Sequence, residues 1–154
     1  MATREQVYEE VGRALEAACI LEMALGTSLL TLDGLATRSY INPDADAYMR
    51  LRNAMEKKTL GQSLDAMKKQ LLLPAGIEKT FTDALTARNF LAHRFFPHHG
   101  LALLDPAGCD SMLDHAKELR STLLNASKLA NGMSESLMVL LRRAVRGTPP
   151  PEER

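Results

Sequence analysis

The 154-residue chain predicts an all-α fold, a single helical bundle of about five helices. Three observations carry this reading. Apolar residues recur at three- and four-residue spacing in successive segments. No segment alternates apolar and polar residues with a period of two, as a half-buried strand would. Leu, Ala and Met dominate the apolar fraction, while aromatics are only 5% and Trp is absent, which favours helix over sheet. With 45% hydrophobic and 25% charged residues, the chain has the balance of a globular domain with one core. The bundle is expected over residues 1–146, with residues 147–154 a disordered tail.

Each element has its own signals. Thr3 and Gln6 have capping-box spacing at the start of a first helix. Val7, Val11, Ala14, Ala18, Leu21 and Leu25 follow as its apolar stripe, with Glu9, Glu10, Arg13, Glu16 and Glu22 mostly off it. Asp33-Gly34 is the expected stop. Asn42-Pro43-Asp44 is a turn, after which Tyr48, Leu51 and Met55 indicate a short second helix. Thr59 and Gln62 repeat the capping-box spacing for a third helix carried by Leu64, Met67 and Leu71, which Leu73-Pro74-Ala75-Gly76 breaks. A fourth helix is expected from Ile77 to Phe96, ended by Pro97 to Gly100. Asp105-Pro106 then pairs a capping Asp with Pro at the first helical position. From Cys109 to Leu140 the three-four spacing holds, giving a last helix of about 40 residues and roughly 60 Å. Asn131-Gly132 is the place expected for a break or kink.

Nineteen basic and nineteen acidic residues cancel, which argues against a bulk nucleic-acid binder but leaves room for a local basic patch. Cys19 and Cys109 both fall in the apolar register and are expected as buried small hydrophobes. The N-terminus lacks the basic-then-apolar pattern of a signal peptide, and no apolar run approaches the roughly 20 residues that span a membrane. A soluble, cytoplasmic protein with no membrane contact is therefore expected.

The segment Ala87-Arg88-Asn89-Phe90-Leu91-Ala92-His93-Arg94-Phe95-Phe96 carries the chemistry. Thr82, Thr86, Asn89 and His93 form a polar stripe beside the apolar arc of Phe81, Ala84, Leu85, Leu91, Ala92, Phe95 and Phe96. Arg88 falls within that arc. A guanidinium keeps its proton, so its burial requires an anion or a set of acceptors. Either Arg88 has a partner inside the fold or this surface faces something negative. A fixed cation and an imidazole about 7.5 Å apart along one helix suit a phosphodiester. The cation neutralises a phosphoryl oxygen and the imidazole moves a proton. RNA supplies its own nucleophile in the 2′-hydroxyl, so no metal or cofactor is required. Arg94, His98 and His99 extend this into a small basic patch suited to RNA phosphates. Adjacent His98-His99 also raise a metal site, but no Cys or carboxylate sits at ligand spacing, and none is expected. His115 reads as a surface residue. Phe90 projects away from the arc and would leave an aromatic ring in water unless a second subunit covers it.

Arg88, Asn89 and His93, as Arg-Asn-x-x-x-His late on a bundle helix, resemble the signature of HEPN domains. The preceding "LLLPAGIEKTFTDAL" and the helix-rich length are similar to the compact members. The resemblance extends over residues 1–146, with its specificity concentrated in the motif. It implies a metal-independent ribonuclease of toxin or defence type, with Arg88, Asn89 and His93 catalytic. It also implies a homodimer whose two Arg-His motifs face one cleft, and an antitoxin or other protein partner on a separate chain. The alternatives are a non-catalytic HEPN-like module that binds RNA or protein, and a purely structural helical dimer.

Overall fold

Thr3 opens the first helix with reciprocal bonds. Its N–H donates to Gln6 Oε1 at 2.9 Å, and the Gln6 N–H donates to Thr3 Oγ1 at 3.3 Å. Two otherwise orphaned donors are thereby satisfied. The computed structural model describes residues 1–147, so the expected tail lies, Gly147 apart, outside the described residues. Among the described residues the protein is all-helical, with six α-helices, one 3-10 turn and no strand.

Helix α1 spans Arg4–Thr37 and runs through Asp33-Gly34, where the sequence predicts its end. A glycine stops a helix by taking a left-handed conformation. Here Arg38 takes it instead, at φ 52°, and Thr37 Oγ1 bonds back to the Asp33 carbonyl at 2.8 Å. The expectation on apolar length also needs correction. By length and composition alone α1 is long and apolar enough to cross a bilayer, and half of its most apolar window is buried inside the protein.

Helix α2 (Ala45–Glu56) is capped by Asp44, which accepts the Ala47 N–H at 3.0 Å, and buries none of its residues. Helix α3 (Leu60–Gln70) carries the expected capping box of Thr59 and Gln62 and buries Leu60, Ser63, Leu64 and Met67. Helix α4 (Ala75–His93) and the short α5 (Phe95–His99) replace the single fourth helix of the sequence reading. A 3-10 turn at Ala102–Leu104 leads to α6 (Pro106–Arg146). Asp105 caps α6 by accepting the Gly108 N–H at 3.1 Å. A side chain at Gly108 would collide with the Ala102 backbone, so the close entry into α6 admits only glycine. Helix α6 keeps its expected length of 41 residues and passes Asn131-Gly132 without interruption. Gly132 lies exposed, and Ser136 Oγ bonds its carbonyl at 2.9 Å.

The chain forms two compact units, with α1 and α6 contributing to each. The first comprises residues 1–21 and 73–129. Its core joins Val7, Val11, Ala14, Ala17, Ala18 and Leu21 with Phe81, Ala84, Ala87, Leu91, Phe95, Cys109, Met112, Ala116, Leu123 and Ala126. Small residues let α1 and α6 approach closely, and Ser127 Oγ sits 3.1 Å from the Ala17 carbonyl oxygen and 2.8 Å from that of Leu123. The second unit comprises residues 22–72 and 130–154, described here as far as Gly147. Leu25, Ser28, Leu29, Leu60, Leu64, Met67, Ala130 and Leu137 are buried there.

Cys109 is buried as expected, but Cys19 is exposed. It lies one residue, about 100°, off the stripe at Ala18. Glu10 is the acidic residue that lies on the stripe, only 6% exposed. Arg120 Nε approaches its Oε1 to 2.5 Å, an ion-pair contact without hydrogen-bond alignment. Burying a carboxylate costs several kcal/mol unless an opposite charge accompanies it. Arg120→Met should therefore lower stability in urea unfolding by about 2 kcal/mol, less than the ~3–5 of a fully buried pair because Arg120 is one-third exposed. Replacing both partners by Leu should recover most of that loss. An Arg120→Met change within about 0.5 kcal/mol of wild type contradicts this account.

Candidate active site

Helix α4 builds the site from two faces. Phe81, Ala84, Ala87 and Leu91 are buried. On the polar side, Thr82 and Thr86 donate their hydroxyls to the carbonyls one turn back, Glu78 at 2.9 Å and Thr82 at 3.0 Å. Those threonines keep lone pairs for an incoming donor. Asn89 and His93 continue the same stripe, both exposed.

The helix ends at His93 because of Pro97. A proline ring clashes with the carbonyl four residues before it, here that of His93, if the α-helix continues. The backbone accordingly leaves helical geometry at Arg94, at φ −126° and ψ −17°. Arg94 is both the C-cap of α4 and the N-cap of α5. Pro97 then occupies the first turn of α5, where its missing N–H costs nothing.

Arg94, its N–H still donating to the Phe90 carbonyl at 2.8 Å, joins the polar stripe. Thr86, Asn89, Phe90, His93 and Arg94 line one open pocket of about 580 Å³. Two of the three residues expected to be catalytic, Asn89 and His93, thus meet there with one expected phosphate contact, Arg94. Arg88 stands next to the pocket and is not among its lining residues. Its side chain is half-buried, and its Nη1 lies 3.4 Å from Asn89 Oδ1, a long hydrogen bond. It makes a further interaction within the chain. The half-buried arginine expected from the apolar arc is present, and it is engaged within the fold.

His98 and His99 go elsewhere. They line a second pocket of about 460 Å³ with Ser111, Asp114, His115 and Glu118 of α6. The two carboxylates there disfavour phosphate, so geometry separates these histidines from Arg94. His115 is not a plain surface residue: His99 Nε2 lies 3.0 Å from His115 Nδ1. Phe90 is covered from within the chain, its ring centroid 5.3 Å from that of His98 and 5.0 Å from that of His115. The aromatic that would have called for a second subunit therefore has partners in its own protomer. No sequence signal joins His99 to His115; the pairing depends on how α5 meets α6. His99 has its pKa lowered below the ordinary 6.5, first by burial and then by His115 and His98. Among the described residues no group of three or more His, Cys, Asp or Glu is placed to hold a metal ion.

No protein-family model, curated protein or solved structure matches this chain. The site's own chemistry therefore carries the functional reading. The pocket offers an imidazole, a guanidinium, an amide and a hydroxyl around an open floor. That set suits a polyanionic backbone with a proton to move.

Proposed function

We propose that the protein is a HEPN-like, metal-independent RNA endonuclease of toxin or defence type. The observation that carries this reading is the convergence of Thr86, Asn89, His93 and Arg94 on one pocket, with Arg88 tied to Asn89 at its edge.

In the proposed reaction the 2′-hydroxyl oxygen attacks the adjacent phosphorus. A base takes the hydroxyl proton, the new O–P bond forms, and the P–O5′ bond breaks as an acid protonates the leaving oxygen. His93 serves in one of these roles. Arg94 holds a phosphoryl oxygen as charge develops, and Arg88 fixes Asn89, which orients His93 or the phosphate. The single imidazole in each chain's pocket supplies one of the two proton transfers. A homodimer with two His93 rings facing one cleft supplies both, which is why the proposal includes a dimer. An antitoxin or other regulatory protein would be a separate chain. Phe96, three residues after His93 in the chain, is 39% exposed and its ring sits 5.9 Å from that of the exposed Tyr8, apolar surface that supports a self-contact. The engagement of Arg88 within the fold favours, as a second reading, a non-catalytic module that binds RNA through the same pocket.

Light scattering at micromolar concentration should give about twice the 17.0 kDa chain mass. A monomer at all accessible concentrations removes the shared cleft.

The purified protein should cleave single-stranded RNA in excess EDTA, leaving a 2′,3′-cyclic phosphate and a free 5′-hydroxyl. His93→Ala should lower the rate by about 10²–10⁴-fold. Arg88→Ala should also lose activity, and Arg88→Lys should recover only part of it, since an ammonium lacks the planar fork. Circular dichroism establishes that each variant is folded. Cleavage abolished by EDTA, or undiminished in His93→Ala, contradicts the mechanism. RNA bound but uncut by folded wild type favours the non-catalytic reading.

A further inference from the structure

The second pocket holds three imidazoles that the proposed reaction does not use. Ring centroids of His98 and His99 are 5.1 Å apart, those of His99 and His115 5.2 Å, and those of His98 and His115 6.0 Å. Phe95 adds a ring 4.8 Å from His99 and 5.7 Å from His115. Phe90 backs the same group and also lines the candidate active site.

We propose that His99 and His115 form a proton-sensitive clasp between α5 and α6, closed while one facing nitrogen carries a proton and the other does not, and released when both rings are cations. The 3.0 Å separation of His99 Nε2 from His115 Nδ1 is a hydrogen-bond distance. Such a bond needs one N–H and one lone pair. Two neutral rings satisfy this, and so does a neutral ring with a cation. Two cations do not: N–H faces N–H, and two like charges lie side by side. His98 adds a third ring to the crowding.

The charged groups around the clasp act in both directions. Asp114 and Glu118 of α6 line the same pocket and favour protonation, while Lys117 pairs with Asp114 at 3.3 Å and offsets it. From α4 the contact is apolar, through Phe90; His93 and Arg94 lie on the neighbouring pocket that Phe90 also lines. From α5 come His98 and the apolar Phe95. Burial and the neighbouring imidazoles prevail at His99, whose protonation is disfavoured. A histidine whose folded value lies below its unfolded value costs stability on acidification. Below the ordinary 6.5 the unfolded chain takes up a proton that the native state declines, and the loss grows until the folded value is reached.

Release of the clasp frees His115, one of the two imidazoles packed against Phe90, so acidification would also loosen a wall of the candidate active site. The clasp itself stands whether or not that site cuts RNA. The test follows the imidazole resonances of the full chain by NMR from pH 8 to pH 5, with urea unfolding midpoints at the same pH values. His99 should titrate to the acid side of an ordinary histidine, and that shift should shrink in His115→Phe. The urea midpoint should fall on acidification, and His115→Phe, which keeps a ring but removes both nitrogens, should flatten that fall. A His99 titration at the ordinary value overturns the proposal. So does an unchanged acid loss in His115→Phe. Should His115→Phe not fold, the wild-type titration decides alone.

Discussion

The ring of Pro97 constrains more of this molecule than any other single group. It forbids a continuous α-helix past the His93 carbonyl. The chain must turn at Arg94, and the apolar sequence that follows becomes a separate five-residue helix. Three consequences meet at that turn. His93 ends α4, with the helix C-terminal dipole beside it. Arg94 leaves helical geometry at its own φ while its N–H still donates to the Phe90 carbonyl, beside the polar stripe of α4. Phe95, His98 and His99 are carried to α6, where they meet His115. A longer fourth helix would have carried His98 and His99 on along the α4 axis, away from their meeting with His115.

Behind the site lies a core of small residues. Ala14, Ala17 and Ala18 on α1, and Ala116, Ala126 and Ser127 on α6, are all buried. Close helix approach compensates for the scarcity of large aromatics, since density rather than side-chain size sets packing energy. Phe81 and Phe95 fill what the alanines leave, both fully buried. The Glu10–Arg120 pair is the one ionic exception described in this core, and its cost is contained because each charge has the other.

Periodicity and capping made most of the fold legible in the sequence. The two capping boxes, the Asp105-Pro106 start and the length of α6 follow from local chemistry that tertiary packing does not override. The ends of α1 and α4 do not. Gly34 stays helical because a glycine permits a left-handed turn without compelling one. Pro97 breaks the chain three residues upstream of itself, because the clash is with the fourth residue back. The spacing of Arg88, Asn89 and His93 on one helix is legible in the sequence; the pocket takes Asn89 and His93 from it and adds Arg94 in place of Arg88. The separation of His98 and His99 from that site, the capture of Phe90 and the recruitment of His115 depend on contacts between elements, which a local pattern does not encode.

The central claim is that the polar face of α4, closed off by Arg94, is where RNA binds. Amide chemical-shift mapping with a 2′-O-methylated single-stranded RNA oligonucleotide, which has no free 2′-hydroxyl and cannot be cut by this route, tests it most directly. The account predicts that the resonances of Thr86, Asn89, His93 and Arg94 shift together and saturably, with Arg88 following through its bond to Asn89. Saturable shifts confined to residues outside α4 and Arg94, or no shifts at millimolar RNA, would contradict it.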